Sequence, residues 1–177
     1  MKLSPALSLL ARPGDGSIAG RKIVLQAADG VNGESLLAVH AALVEQGAVP
    51  RIAAPRIGPV RTADGVALQA DVSLENEPGF LFDAMVLPDG EAAVQALLRD
   101  GHTHEVIRDQ YRHCKAILAL GTGLQLLQAA GVGTATASGE ADPGIVVAYD
   151  AASGAAAFIQ AIAKHRHFER ETDPPVV

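Results

Sequence analysis

Apolar positions along the chain fall into short, nearly unbroken runs, separated by stretches in which they recur every three or four residues. The runs Lys22 to Ala27, Val49 to Ala53, Asp83 to Pro88, Lys115 to Leu120 and Ile145 to Ala148 read as strands of a parallel sheet, the first as one buried on both faces. Between them, Glu34 to Gln46 places Leu36, Leu37, His40, Leu43 and Val44 on one helical stripe, with Gly47 as its stop. Glu91 to Arg99, Glu105 to His113, Leu124 to Ala130 and Ala151 to His165 read as further helices, Gly101 separating the first two. This alternation predicts an α/β fold with a doubly wound, mostly parallel sheet and helices on both faces. The polar stretch from Pro55 to Pro78 differs: Thr62-Ala63-Asp64-Gly65 lies between Val60-Arg61 and Val66-Ala67-Leu68, which predicts a small β-hairpin excursion at the sheet edge.

Pro5, Pro13, Gly14, Gly16 and Gly20 break residues 1–21 into an arm, in which Ser4 to Leu10 has the amphipathic pattern of a docking turn. The domain proper is expected over residues 22–168, and the Pro-rich ending, residues 169–177, is expected to fray. At 177 residues there is room for one core and not for two. No apolar run approaches the roughly 20 residues of a bilayer span. A net charge of −6, no Trp and only two Tyr and four Phe argue against nucleic acid as a partner. Cys114 has no second cysteine to bridge to and Met1 to Pro5 lacks a secretory pattern, so a cytoplasmic protein without a membrane partner is expected.

In an open α/β sheet chemistry sits where strands end and loops enter helices, here at Ala28 to Gly33, Pro88 to Gly90 and Gly121 to Gly123. Leu118 to Leu127 is a strand, sharp turn and helix of the kind that exposes a nucleophile at its corner, but the corner residue is Gly121. Thr122 has a hydroxyl with no His or acid adjoining it in sequence to act as base. Cys114 precedes the corner by a whole strand and belongs at the far end of the sheet. His102, His104 and His113 lack ligand spacing, and His165 and His167, two apart, are expected at a solvated or interface-facing helix end rather than on one metal. His40 is expected as a core or boundary histidine. Gly121-Thr122-Gly123 has the form of a weak anion cradle, without the full glycine pattern or lysine of a nucleotide site. No catalytic, cofactor or metal residue is therefore expected.

Ala119-Leu120-Gly121-Thr122-Gly123 stands where PfpI-type members of the class I glutamine amidotransferase-like superfamily read Ala-Ile-Cys-His-Gly, and Asp83 to Gly90 resembles their Asp-Ala-hydrophobic-Pro-Gly-Gly segment. Asn32 occupies the place of that family's supporting Glu. The resemblance implies a flavodoxin-like scaffold with a degenerate site at Asn32, Gly121 and Thr122. The arm Ser4 to Leu10, Gly20-Arg21-Lys22-Ile23-Val24, Ala28-Asp29-Gly30-Val31, Gly65-Val66-Ala67-Leu68 and Ala163 to Arg170 together resemble the C-terminal domain of a large-subunit catalase. That resemblance implies a non-catalytic domain without a cofactor of its own. The haem and hydrogen peroxide chemistry would belong to a separate catalase body, and the partners would be that core with its tetramer. Oligomer stabilisation and chaperone-like binding of unfolding clients are the implied roles; a residual PfpI-type hydrolase or glyoxalase-like enzyme, or a small-ligand-binding domain, is the alternative.

Overall fold

The central apolar runs form strands because helices cover the sheet on both of their faces, whereas Ile145 to Ala148 makes a partly exposed edge strand. The computed structural model of the chain describes Ala6 and residues 15–170. In it β1 (Lys22–Gln26), β2 (Val49–Ala54), β5 (Val72–Ser73), β6 (Ala84–Leu87), β7 (Ala116–Leu120) and β8 (Ile145–Ala148) form one parallel sheet in the order β5-β2-β1-β6-β7-β8. The order reverses direction between β1 and β6, so the loops leaving these two strands diverge and open a crevice at their carboxyl ends. Helices α1 (Gly33–Glu45) and α5 (Ala151–Ala163) pack together on one face; α2 (Glu91–Leu97), α3 (Gly101–Arg112) and α4 (Leu124–Ala129) cover the other. The core runs through the sheet on both faces, with Ile23, Leu25, Met85, Leu87, Ile117 and Leu118 fully buried. The doubly wound α/β expectation holds.

Three departures from the sequence reading have physical causes. The expected hairpin forms, β3 (Gly58–Arg61) with β4 (Ala67–Ala70), as a separate two-stranded sheet, but the short β5 that follows it, which was not foreseen, takes the edge of the main sheet. Two residues are too few to carry an apolar signature. Helix α3 begins at Gly101 rather than Glu105, because Asp100 Oδ2 accepts from Thr103 N at 2.9 Å and caps it there. On α1 the buried residues are Gly33, Leu36, Val39 and Leu43, whereas Leu37 and Val44 are exposed and His40 is half-buried. The stripe is narrower and rotated from the expected one, since α5 shields the flank opposite Leu37.

Residues 18–21 and 168–170 are also better anchored than expected. Ile18 is buried and Gly20 N donates to Gly47 O at 2.8 Å, so the arm joins the body before Lys22. At the other end Phe168–Arg170 forms a helical turn with Arg170 buried, so the body extends into the segment expected to fray. Apart from Ala6, the docking turn expected at Ser4 to Leu10 lies outside the described residues, as do residues 171–177.

Candidate functional site

The loops leaving β1, β6 and β7 converge at the reversal of strand order, bringing together Asn32, Asp89 to Gly90 and Gly121 to Gly123. Close approach is enforced by backbone: a Cβ on Gly90, whose φ is +116°, would stand 2.5 Å from Gly30 O, so only glycine fits. Asn32 N donates to Asp89 O at 2.9 Å, fixing the first loop to the second. The Asn32 side chain accepts from Ser35 N at 3.1 Å and caps α1. Its amide, where the PfpI-type pattern has an acid, therefore acts as a helix cap.

The corner holds a group that the sequence reading passed over. Gly121 has φ +46°, and a Cβ built on it would stand 2.5 Å from Asp89 Cγ and 2.8 Å from Oδ2, with Oδ1 nearer still. The Asp89 carboxylate thus fills the space into which a corner side chain would project. It is held there by Thr122, whose N–H donates to Asp89 Oδ1 at 2.9 Å and whose hydroxyl donates to the same oxygen at 2.8 Å. Thr122 Oγ1 in turn accepts from Gly90 N at 3.1 Å. In nucleophile-bearing corners the N–H of the following residue faces the developing oxyanion; here that N–H is already spent on an internal carboxylate. Asn32, Gly121 and Thr122 each adjoin Asp89, a residue the sequence reading did not single out.

Thr122, without an acidic neighbour in sequence, has one in space. Partial burial works to raise the Asp89 pKa, but hydrogen bonds from Thr122, reinforced by Gly90 N–H and the Asn32 amide, outweigh it and hold the carboxyl below its ordinary value. A carboxylate so stabilised is a poor proton acceptor, and a threonine hydroxyl that must donate to it remains a hydroxyl. The signal was present in the sequence as two departures, Asp89 for glycine and Gly121 for cysteine, which the fold reveals as a single exchange of volume between facing loops.

Beside the corner a groove of about 740 Å³ runs under the hairpin, walled by Pro59, Val60, Ala63 and Ala67 and by Gly30, Glu91 and Ala92, with Asp29, Arg61, Thr62 and Gly90 completing its lining. Asp29 Oδ1 accepts from Arg61 N at 2.8 Å and so ties hairpin to sheet.

The other histidines and Cys114 are scattered. Cys114 precedes β7, at the amino end of the sheet, far from the corner. His165 has φ +68° and lies beyond the end of α5, and His167 is buried, its Nε2 3.0 Å from Ala161 O. The expectation of a solvated helix end thus fails for His167: the helix has already stopped and the chain folds back beneath it. Among the described residues no three His, Cys, Asp or Glu side chains gather as a metal site would require.

A second polar cluster, unforeseen, lies at this amino end. Arg170 Nε donates to Asp142 Oδ2 at 2.5 Å and Arg170 Nη1 to Lys115 O at 2.7 Å, while the guanidinium rests over the Tyr111 ring. Lys115 is itself buried, its Nζ donating to Phe80 O at 3.1 Å and Phe82 O at 2.5 Å. Burial, with Arg166 nearby, lowers its pKa from 10.5 to about 8. Between about pH 8 and 10.5 the unfolded chain therefore holds more protons at this residue than the folded one, and stability rises with pH. Denaturant midpoints measured across that window should show the rise for the native chain and its absence for Lys115→Met.

Residues 19–172 match the family described as the C-terminal domain found in long catalases. The chain is 34% identical to "Catalase HPII" of Pseudomonas putida over 171 residues, covering 95% of this chain and 22% of that protein. It is 36% identical to "Catalase C" of Rhizobium meliloti over 168 residues, 95% of this chain and 23% of the relative. The chain thus spans under a quarter of the length of these two relatives. Among solved structures, Drosophila melanogaster DJ-1beta superposes with a TM-score of 0.71 at 17% identity, over 84% of this chain and 91% of that one. That likeness concerns the fold.

Proposed function

Since the chain belongs to the family of C-terminal domains found in long catalases, we propose that it is a non-catalytic module that stabilises a catalase body and its oligomer. In this reading hydrogen peroxide is decomposed at a haem held by the body, and this domain contributes packing rather than chemistry. The observation that carries the proposal is the Asp89 carboxylate, which occupies the corner beside Gly121 and takes up the Thr122 N–H. A fold whose relatives place a nucleophile there has here exchanged it for a brace between β6 and β7.

The residues present do not suit haem. The lining of the hairpin groove contains no His, Tyr, Cys or Met to ligate iron, and no step is assigned to such a group in this domain. The same exchange at the corner argues against a residual PfpI-type hydrolase or glyoxalase-like activity and against a carbonyl ligand at Thr122. Chaperone-like holding of unfolding clients is a second part of the proposal, supported by exposed apolar side chains such as Ile57 and Val66. A lone cysteine fits a cytoplasmic setting.

The test joins the 177-residue chain to the body of the Pseudomonas putida relative in place of the matched region and compares it with the body alone. The joined enzyme should retain peroxide decomposition after heating or denaturant that inactivates the truncated one, while the 177-residue chain alone decomposes none. Equal resistance of the two enzymes would end the stabilising role, and turnover by the isolated chain would end the non-catalytic one. Unchanged light scattering of a heat-labile client with the added chain would remove the chaperone part.

A further inference from the structure

The loop between β5 and β6 is held by polar contacts as well as by packing. Its backbone is clamped from below: Gln110 Nε2 donates to Gly79 O at 2.6 Å, and Lys115 Nζ donates to the carbonyls of Phe80 and Phe82. Gly79 packs against Val106 of α3 so closely that a Cβ there would lie 3.1 Å from the Val106 backbone. A buried ammonium satisfied by carbonyls alone is a costly way to hold a loop. What the clamp achieves is to fix Phe80 and Leu81 pointing outward, 60% and 45% exposed.

These two are not isolated. Register pairs Lys22 with Val49, and Asp83 N donates to Lys22 O at 2.7 Å, so Val49, Lys22 and the start of β6 follow one another along the amino edge of the sheet. At about 4.8 Å per strand, Val49 stands two strands, roughly 10 Å, from the start of β6. Phe80, Leu81 and Val49 are three of the nine large apolar side chains exposed among the described residues. Around them stand the ion pairs of Arg21 with Asp83 and of Glu77 with Lys22 and Arg51. An apolar centre with a charged rim is the anatomy of a protein interface.

We infer that this edge, centred on Phe80 and Leu81, is the surface on which the domain seats against the catalase body preceding it in long catalases; the inference rests on the appended-domain reading above. The chain's path selects this occupant. Residues 15–21 enter the fold at this same edge, pinned by buried Ile18 and by Val49 N donating to Arg21 O at 2.8 Å. In the relatives, more than three quarters of the polypeptide lies outside the matched region, and a C-terminal domain has that remainder before it. A body tethered beside Ile18 meets the adjoining surface at high effective concentration, which no free partner matches.

The experiment uses the joined enzyme described above and the 177-residue chain alone. Hydrogen exchange of residues 78–83 should be slower in the joined enzyme than in the chain alone. Phe80→Ser with Leu81→Ser should abolish that difference and bring thermal inactivation of the joined enzyme at least halfway to that of the truncated one. Both side chains are exposed, so the melting midpoint of the isolated variant chain should stay near the native value; a variant that melts early is replaced by Leu81→Ser alone. Equal exchange in the two contexts, with the domain still stabilising the enzyme, would overturn this surface and leave the function standing. Stabilisation absent altogether would overturn both. Protection of residues 78–83 that rises with the concentration of the isolated chain would assign the surface to a second copy and overturn the present assignment.

Discussion

Asp142→Asn is expected to lower stability by about 3–5 kcal/mol, the usual loss when one member of a buried ion pair is removed. Asp142 and Arg170 side chains are 0% and 1% exposed, so the guanidinium left behind would have neither countercharge nor water. The pair is embedded further: Asp142 Oδ1 accepts from Gly144 N at 2.8 Å, and Arg170 also bonds the carbonyl of Lys115. Gly144 has no room for a Cβ, which would collide with Arg170 and His167. In a domain of this size each kcal/mol shifts the midpoint by about 2–4 °C, so a fall of roughly 6 to 20 °C is expected in a thermal melt. Arg170→Met should cost a comparable amount, and Asp142→Leu with Arg170→Met less than the two single losses added, since both charges leave together. A loss below about 1 kcal/mol for Asp142→Asn would mean that the pair is effectively solvated, as surface pairs are.

Gly121→Ala is expected to cost about 2–4 kcal/mol, combining left-handed backbone strain with overpacking against Asp89. The two contributions separate in a double-mutant cycle. Asp89→Gly removes the carboxylate and restores the glycine that the PfpI-type pattern carries; in that background Gly121→Ala should retain only the backbone strain. A coupling of about 1–3 kcal/mol between the positions, read from denaturant midpoints, is expected for groups that claim one volume. If Gly121→Ala costs the same with and without the Asp89 carboxylate, the exchange of volume is refuted. The Asp89 brace also has a pH signature. Its pKa is held below the ordinary value, so its contribution is complete at neutral pH and fades only as acid protonates the folded carboxyl.

These effects mark where reading the chain works and where it stops. The strands were legible because β1, β6 and β7 are buried on both faces and must be written in apolar residues throughout. Helix α1 was legible as a helix, yet its buried face was misassigned: Leu37 and Val44 fit a helical stripe but face solvent, because the stripe's direction depends on where α5 lies. The start of α3 was missed although Asp100 and Thr103 spell a cap, since a glycine between them reads equally as a break. Strand β5 was invisible at two residues.

Composition and local pattern by themselves determined the α/β layering, the corner at Gly121 and the missing nucleophile, because burial and turn geometry act on residues close in sequence. Only the tertiary structure decided what fills that corner, what anchors the chain's end and what the clamped loop presents. Asp89 and Thr122 are 33 residues apart, Arg170 and Asp142 28, Lys115 and Phe82 33. Interactions at such separations carry no periodicity for a sequence to display; they exist because a parallel sheet brings the same ends of distant strands side by side.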